Sequence, residues 1–368
     1  MNENLYENEK NILEKQHILG RREKNNQGVL NIGKYYALDS SLGDDVFIDA
    51  LHPHVVLICG KRGYGKSHTI GVFIEELSKL EQGVLENLGV IVIDTLGIFW
   101  TTCFQNKKDI DSLSNWNFKP ESVNINLLVP EKFVEEYSEK GIKANSFSIK
   151  VSDLSPHHWC QLFNVKSIEP FGIALTRAVL EMQSLKTSYS IDDLLEYIQK
   201  DDRFDGNTKG IAENFLKTAD SWGVFKKDGI SIYEIVCRGS ITVLDVSNLP
   251  DQNLKIIITT IIGQKIFEER VLERKIHEQN KMGLKVEEKG MPMVWLAIDE
   301  AQLFLPNEKD VISKDVFINE WMRQGRQPGL SLIMATQRPS ALESEVLSHS
   351  DIIICHRLTA QEDIDSLS

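Results

Sequence analysis

The segment that most constrains the fold spans residues 60–67, GKRGYGKS, and fits the pattern G-x-x-x-x-G-K-[ST]. It follows the apolar run Val55–Cys59, which is typical of a parallel strand buried on both faces. After the segment, apolar residues recur at helical spacing, at Ile70, Phe73, Ile74 and Leu77. A glycine-rich loop between a strand and a helix surrounds phosphate groups with backbone N–H groups, so the pattern predicts a nucleoside triphosphate site.

Individual residues of this loop have predicted roles in binding ATP. Lys66 can reach the β and γ phosphates, and the Ser67 hydroxyl is placed to ligate Mg²⁺. The other predicted nucleotide contacts in this region are Gly60, Gly63, Tyr64, Gly65 and His68. A chance glycine-rich turn is the alternative, and the predicted strand and helix on either side argue against it.

A second motif supplies two acids. The apolar run at residues 293–299, MVWLAID, ends in Asp299, and Glu300 follows directly. A strand that ends in this way puts both carboxylates at the carboxyl edge of a parallel sheet, where nucleotides bind. Asp299 is predicted to hold Mg²⁺, and Glu300 to orient or deprotonate the attacking water. Two solvated acids at a strand end are the alternative.

Further buried strands predict an α/β fold with a mainly parallel central sheet. They lie at residues 90–93, 241–246, 330–336 and 351–356, with helical segments between them. We expect four segments: an N-terminal arm and short β region (1–54), the first part of the core (55–105), a mostly helical insertion (106–238) and the second part of the core (239–368). Within the first segment, residues 1–27 are expected to form a helical or partly disordered arm.

Composition narrows the class of protein. The formal net charge is −13, which argues against a broad nucleic-acid-coating surface but not against a ring that grips DNA through a small inner surface. There is no apolar run of 18 residues and the N-terminus is polar, so we expect no membrane segment and a cytoplasmic location. Five scattered cysteines predict neither disulfides nor a zinc site, and His157-His158-Trp159-Cys160 is interpreted as ordinary side chains at a helix start.

Three polar residues lie between the acids and the last predicted strand. Gln337 leaves a core strand and could hydrogen-bond the γ-phosphate or the lytic water, or be a loop residue. Arg323 and Arg326 are either surface charges or candidates for stabilising transition-state charge in a neighbouring subunit.

In this order, the segments GKRGYGKS, VLDVSNL, WLAIDEAQLFLP, GRQPG, ATQRPS and HRLTAQED resemble the HerA branch of the HerA/FtsK superfamily. The resemblance covers residues 28–368 and is strongest at 55–100 and 238–368. It implies a RecA-like core in a homohexameric ring that hydrolyses ATP at subunit interfaces and moves double-stranded DNA through its pore. It also implies roles for single residues: Lys66 and Ser67 on phosphate and Mg²⁺, Asp299 and Glu300 as the acid pair, Gln337 as sensor, Arg326 as an arginine finger acting on the neighbour, and Arg357 facing nucleotide or capping a strand end.

The chain departs from this family at several points. Ile98 stands where members carry an acid, and Gln327 replaces a lysine beside Arg326. The N-terminal region is short for the barrel of the family, and Ser368 follows the last core strand directly, so we expect the natural protein to continue.

Two functions from different classes fit these observations. The first is a hexameric ATP-driven translocase or helicase for double-stranded DNA that works with a partner nuclease or effector. The second is an oligomeric ATPase scaffold that activates a partner effector in antiviral defence, which the acidic charge and short N-terminal region favour slightly. A secretion or conjugation ATPase is a third, against which the lack of a membrane anchor counts. Lys107-Lys108 and Lys226-Lys227 are candidate DNA-binding loops, or solvated lysine pairs.

Overall fold

Eight parallel strands form the central sheet of the protein, which we describe from a computed structural model covering residues 17–21, 26–39, 41–116, 118–186 and 188–367. Their order across the sheet is β13-β4-β12-β11-β5-β10-β6-β7, and every neighbouring pair is parallel. The strands are β4 Val55–Cys59, β5 Leu88–Asp94, β6 Ile125–Pro130, β7 Ala144–Phe147, β10 Ile241–Asp245, β11 Met293–Ile298, β12 Leu330–Thr336 and β13 Ile352–Cys355. The predicted α/β fold with a mainly parallel sheet is confirmed.

The central strands are buried because helices cover both faces of the sheet. Every residue of β5, β10 and β12 is buried, as their continuous apolar runs predict. One large apolar cluster lies on each face, built around Leu296 on one side and Trp295 on the other. Neighbouring residues of β11 thus contribute to opposite clusters, as expected from the alternation of side chains along a strand.

Two long helices flank the strands that carry the predicted motifs. Helix α1, Lys66–Ser78, begins inside the glycine-rich segment and buries Ile70, Phe73, Ile74 and Leu77 against the sheet. Helix α10, Gln252–Lys281, is capped by the Asp251 carboxylate, which accepts hydrogen bonds from two backbone N–H groups of its first turn. Its last five residues lie in the charged stretch HEQNKMGLKVEEKG (277–290), where composition alone predicts a surface loop, so this prediction is wrong for residues 277–281.

The stretch between β5 and β10 contains most of the remaining helices. Helix α2, Gln82–Leu85, lies before β5, and the helices of this stretch are, in chain order, α3 Ile110–Asn115, α4 Val134–Glu139, α5 Pro156–Leu162, α6 Pro170–Leu185, α7 Ile191–Lys200, α8 Gly206–Ser221 and α9 Ile232–Ile235. Strands β6 and β7, which the sequence analysis did not predict, extend the central sheet, and β8 Ile149–Lys150 pairs with β9 Phe225–Lys226. His158 belongs to the capping box of α5, where its Nδ1 accepts from the Ser155 backbone N–H at 3.0 Å.

The last part of the chain returns to the sheet through short helices. A π-helix, Asp315–Met322, lies between β11 and β12, and the short helices α11 Ser344–His349 and α12 Gln361–Asp365 flank β13. Single 3₁₀ turns occur at Phe99–Cys103, Glu131–Phe133, Val151–Asp153, Ala301–Leu303 and Pro339–Ala341.

A small separate sheet precedes the core. Strands β1 His17–Leu19, β3 Leu42–Asp49 and β2 Val29–Tyr36 lie in that order, β1 parallel and β2 antiparallel to β3. The expected helical or disordered arm at residues 1–27 is wrong for His17–Leu19, which pairs with β3 and is therefore extended; residues 1–16 and 22–25 lie outside the described residues. In the described part of the chain, no helix combines the length and apolar character that crossing a membrane requires.

A buried polar network joins the small sheet to the core. The Arg21 guanidinium donates to the Asp49 carboxylate, and His52 Nδ1 lies 2.6 Å from the same group. His54, which is 4% exposed, lies 2.6 Å from Asp351 through Nδ1 and 3.5 Å from Asp49 through Nε2. Asp351 precedes β13 and also accepts from the Val55 backbone N–H at 2.8 Å. The network therefore connects the end of β3 to the first residues of β4 and β13.

Candidate active site

Three neighbouring strands bring the predicted site residues together. β12 lies between β4 and β11, and all three run in the same direction. Their carboxyl ends therefore meet at one edge of the sheet, with the residue 60–67 loop after β4, Gln337 after β12, and Asp299 and Glu300 after β11. This edge is where nucleotides bind in open parallel sheets.

The loop after β4 needs glycine for two reasons. Gly63 and Gly65 have φ of 83° and 95°, the left-handed region that other residues enter at a cost. Gly60 is needed for space, because a Cβ at this position would lie 2.6 Å from the Cβ of His356. Because these glycines carry no side chains, a phosphate group can approach the backbone N–H groups of the loop closely.

The two predicted Mg²⁺ ligands contact each other directly. The Ser67 hydroxyl donates to Asp299 Oδ2 at 2.8 Å, although the two residues are 232 positions apart in sequence. Asp299 is fully buried, and burial raises its pKa, while the hydrogen bonds from Ser67 and from the Glu300 backbone N–H act in the opposite direction. Lys66 lies alongside, with only 6% of its surface exposed.

Glu300 has an unusual backbone conformation. Its φ of 54° and ψ of 48° place a non-glycine residue in the left-handed region, which costs about 1 kcal/mol. Its backbone N–H donates to Asp299 Oδ1 at 2.8 Å, and its carbonyl accepts from the Leu303 N–H at 2.9 Å. The strained conformation is therefore held by the neighbouring turn, which is a feature of residues at functional sites.

The Glu300 carboxylate is held by two amides. Gln337 Nε2 donates to Oε1, which places the predicted sensor glutamine on the predicted base. Gln302 Nε2 donates to Oε2, and Gln302 Oε1 in turn accepts from the Thr336 hydroxyl at 2.8 Å. Gln302 was not among the predicted site residues, although it lies within the quoted segment WLAIDEAQLFLP.

The segment after β13 packs against the glycine-rich loop. His356 Nε2 lies 3.0 Å from the Thr69 hydroxyl, and the Lys61 N–H donates to the Arg357 carbonyl at 2.9 Å. The Arg357 guanidinium lies over the ring of Tyr64, 5.6 Å from its centroid. The structure thus places Arg357 beside the loop. His356, which opens the quoted segment HRLTAQED and contacts the same loop, was not among the predicted site residues.

Other predicted residues lie outside this cluster. His68 is exposed on the first turn of α1. Arg326 is exposed just before β12, at the opposite edge of the sheet, roughly 20 Å along the strand from Thr336. Within the described ranges, its guanidinium has no hydrogen-bond or ion-pair partner. Arg323, by contrast, is ion-paired with Glu345 and donates to Asn319 at 2.9 Å.

The candidate DNA-binding lysines differ in their surroundings. Lys107 and Lys108 are exposed in the segment that follows the turn Phe99–Cys103. Lys226 is in β9, where its ammonium lies 3.2 Å from the Glu131 carboxylate. Their role in binding DNA stays a prediction.

A second acidic pair lies farther along the same edge. Asp94, at the end of β5, accepts hydrogen bonds from four successive backbone N–H groups, those of residues 96–99. Burial raises its pKa to about 6. Asp245, at the end of β10, accepts from the Tyr137 hydroxyl and from the Ser247 N–H at 2.9 Å. Ile98, which stands where an acid was expected, lies in the turn that these hydrogen bonds to Asp94 close. The acidic side chain at this turn is therefore that of Asp94.

The residues at this edge fit a nucleoside triphosphate and a magnesium ion. Ser67 and Asp299 provide two oxygen donors within 2.8 Å of each other, and hard oxygen donors are what Mg²⁺ prefers. The positive-φ glycines and the N-terminus of α1 provide a concave backbone surface for phosphates. Glu300 supplies a carboxylate at the same place, as the activation of water requires.

Comparison with known families gives a match over more than half of the chain. The family model described as the central domain of helicase HerA matches residues 31–265. The DNA double-strand break repair helicase HerA of Sulfurisphaera tokodaii is 23% identical over 324 residues, which cover 88% of this chain and 58% of that protein. A probable helicase of Methanocaldococcus jannaschii is 22% identical over 321 residues, covering 83% of this chain and 53% of that protein. The chain thus spans a little over half the length of these relatives.

Solved structures with a similar arrangement come from other proteins. VirB4 of Thermoanaerobacter pseudethanolicus superimposes with a TM-score of 0.45 at 15% identity, covering 86% of this chain and 78% of that chain. The bacterial conjugative coupling protein TrwB gives 0.43 at 13% identity, covering 81% and 65%.

Proposed function

Since the chain belongs to the HerA helicase family, we propose that it is an ATP-hydrolysing ring motor that translocates or unwinds double-stranded DNA. One observation supports this most directly: Lys66, Ser67, Asp299, Glu300 and Gln337 meet at one edge of the sheet, while Arg326, at the other edge, has no hydrogen-bond or ion-pair partner among the described residues. Such a site has its phosphate, metal and base groups in one subunit, and a neighbouring subunit can add Arg326 as a cation that stabilises the transition state.

The proposed chemistry follows from the positions of the side chains. Lys66 binds the β and γ phosphates beside the backbone N–H groups of the loop, and Ser67 and Asp299 hold Mg²⁺. The metal, when bound, neutralises charge that develops on the phosphate oxygens. Glu300 takes a proton from the attacking water, and Gln337 is close enough to Glu300 to contact the same water or the γ-phosphate. Tyr64 and Arg357 form one wall beside the loop.

Arg326 is proposed to act on the site of a neighbour. Within one subunit, Arg326 precedes the start of β12, whereas the proposed nucleotide site lies beyond the end of that strand. This distance exceeds the reach of an arginine side chain, which rules out a contact within one subunit. Arg323 makes a matched control because its guanidinium is already ion-paired within its own subunit. Arg326→Ala should lower ATP turnover by at least 10³-fold, the typical value for such a residue, whereas Arg323→Ala should change it less than tenfold.

Mixing variants tests action between subunits. Subunits with Lys66→Ala lack a working phosphate loop but keep Arg326, and subunits with Arg326→Ala have the opposite defect. If the arginine acts on the neighbour, some interfaces in a mixed ring pair an intact loop with an intact arginine, and turnover reappears on mixing. Two inactive variants that stay inactive in mixed rings of confirmed composition would contradict the trans assignment.

The DNA substrate is tested by the dependence of turnover on duplex DNA. We expect ATPase activity of the assembled protein to rise with duplex DNA and the stimulation to weaken with salt, because phosphate contacts release counterions. Lys66→Ala should abolish turnover, and Lys281→Ala, at the exposed end of α10, should behave as the wild type. Magnesium chelation should remove turnover in all active variants.

The second proposed function is an oligomeric ATPase scaffold that activates a partner effector, which the net charge of −13 favours slightly. A ring that hydrolyses ATP without binding or responding to DNA, and that is stimulated by a protein partner, would favour this function over translocation. A partner nuclease or effector belongs to both proposals, and co-purification with the products of neighbouring genes would identify it.

A further inference from the structure

Gln302 makes hydrogen bonds through both ends of its side-chain amide. Its Nε2 donates to Glu300 Oε2, and its Oε1 accepts from the Thr336 hydroxyl at 2.8 Å. Thr336 is fully buried at the end of β12, where a β-branched side chain has few alternative rotamers. Gln302 is therefore fixed between the last residue of one core strand and the acid that follows the next.

The direction of these hydrogen bonds follows from the Glu300 carboxylate, which accepts from the Gln302 NH₂ group and leaves the Gln302 oxygen to face Thr336. Thr336 Oγ1 accepts from the Arg338 N–H at 3.1 Å, so its one proton is available for Gln302 Oε1. The Gln302 oxygen is thereby placed toward Thr336, and its NH₂ group must face the carboxylate. The Arg338 N–H donates to Thr336, the Thr336 hydroxyl donates to Gln302, and the Gln302 amide donates to Glu300. Glu300 is thus the final acceptor of this chain of hydrogen bonds.

The second amide on Glu300 is held at one end only. In the part of the chain that the structure describes, Gln337 makes a single side-chain hydrogen bond, from Nε2 to Glu300 Oε1. Turning Gln337 toward another acceptor therefore breaks one hydrogen bond. Moving Gln302 breaks two and leaves the hydroxyl of a buried threonine without its acceptor, which is unfavourable.

From this difference we propose that Gln302 is a positioning residue, which keeps the Glu300 carboxylate in place while Gln337 is free to turn to the γ-phosphate or the attacking water. The inference rests on the proposed ATP hydrolysis, in which Glu300 is the base. Among the described residues, the Gln302 side chain hydrogen-bonds only Glu300 and Thr336, so we infer that it acts through Glu300. Loss of Gln302 should affect the chemical step and leave the binding of ATP unchanged, since small displacements of a reacting group cost up to about 100-fold in rate.

The choice of substitution matters because Gln302 also lines a cavity of about 480 Å³, together with Arg338 and the first residues of α10. Truncation to alanine would open Glu300 to this cavity and add a solvent effect to the loss of the hydrogen bonds. Gln302→Met keeps the length and volume and removes both hydrogen bonds. Gln279→Met, at an exposed position on α10, is the matched control.

The test compares steady-state ATP hydrolysis and nucleotide affinity in the full chain. We expect Gln302→Met to lower kcat about tenfold or more with KM and the Kd for ATP within twofold of wild type, and Gln279→Met to match wild type in both. Thr336→Val should lower kcat in the same way, and Thr336→Ser, which keeps the hydroxyl, should recover most of that loss. The double variant Gln302→Met with Thr336→Val should lose less activity than the two single losses added together, because the Thr336 hydroxyl acts on Glu300 through Gln302, while its second hydrogen bond, from the Arg338 N–H, is separate.

Each result has a defined meaning. A wild-type protein without ATPase activity would overturn the proposed function and this inference with it. A wild-type protein that hydrolyses ATP while Gln302→Met keeps its kcat would overturn this inference alone, as would additive losses in the double variant or a change confined to KM. If Gln302→Met does not fold, the comparison of Thr336→Val with Thr336→Ser decides the question.

Discussion

Raising the pH from 6.5 to 9 should remove about 3 kcal/mol from the free energy of unfolding through His54 alone. Burial by itself would lower the pKa of this histidine, but its hydrogen bonds to Asp351 and Asp49 raise the pKa from 6.5 to about 9. The difference of about 2.5 units corresponds to roughly 3 kcal/mol at 1.36 kcal/mol per unit. His54 is itself buried, but the side chain of its main partner, Asp351, is 48% exposed, so solvent screening makes about 3 kcal/mol the upper end of this contribution.

The sign follows from which state binds the proton more tightly. The folded protein holds the proton on His54 up to about pH 9, whereas the unfolded chain releases it near pH 6.5. Stabilisation is therefore fully present below pH 6.5 and is lost as the pH rises through 9. Asp49 has the opposite dependence: burial would raise its pKa, but hydrogen bonds from His54 and Arg21 hold it well below its usual range, so its contribution is lost only in strong acid.

Urea unfolding at closely spaced pH values from 6 to 9.5, for wild type and His54→Gln, measures this contribution. The difference between the two proteins should shrink by about 3 kcal/mol across this range, since other titrating groups affect both alike. His277→Gln, at an exposed position on α10, controls for the loss of a histidine as such and should follow wild type at every pH. A difference between wild type and His54→Gln that stays constant would refute a charged His54 in the folded protein.

Three further predictions concern the glycine-rich loop, the proposed catalytic base Glu300 and the hydrophobic core. Gly60→Ala should weaken ATP binding at least tenfold because its Cβ would lie 2.6 Å from His356, whereas Gly71→Ala, with no neighbour within 4 Å, should bind as wild type; equal affinities in an equilibrium binding assay would refute the steric argument. Glu300→Gln should bind ATP normally and release phosphate at least ~100-fold more slowly, a result that turnover within tenfold of wild type would contradict. Leu216→Ala, at a fully buried position on α8, should cost about 3 kcal/mol in urea unfolding, and a loss below ~1 kcal/mol would show that the site is loosely packed.

The core strands were predictable from sequence because burial on both faces gives an uninterrupted apolar run. β4 and β12 are of this kind, and each matches its predicted bounds. β6 and β7 were missed because they lie within a mixed, more polar stretch, and β7 has only four residues. In β7 only the two end residues are buried, and β6 is fixed by pairing with β10, more than a hundred residues later in the chain. Such pairing leaves no local pattern.

The candidate site, like the fold, has a part that the sequence predicts and a part that it does not. Lys66, Ser67, Asp299, Glu300 and Gln337 were expected together because each lies at the carboxyl end of a predicted parallel strand. Their closeness in the structure agrees with that expectation, and their catalytic roles stay predictions. Contacts made by side chains alone were not predictable, as with Gln302 on Thr336 and His356 on Thr69. The π-helix Asp315–Met322 likewise depends on a shift in backbone hydrogen bonding that helical periodicity does not reveal.

The edge strand β13 connects the buried polar network to the nucleotide loop. A four-residue strand that is exposed at two of its positions has little apolar contact to fix its register, and a shift by one residue would turn each side chain to the opposite face. Contacts at its two ends prevent this shift. Before the strand, Asp351 is held by His54 and the Val55 N–H. After it, His356 reaches Thr69, and the Arg357 carbonyl accepts from Lys61.

The register of β13 in turn determines the wall of the nucleotide site. Cys355 pairs with Cys59, so the residue after each strand lies beside the other, and the Cβ of His356 comes within 2.6 Å of where a Gly60 side chain would begin. Arg357 is then placed over Tyr64. The shape of the glycine-rich loop therefore depends on a strand whose position is fixed partly by the contacts of Asp351 with His54 and Val55 at its opposite end.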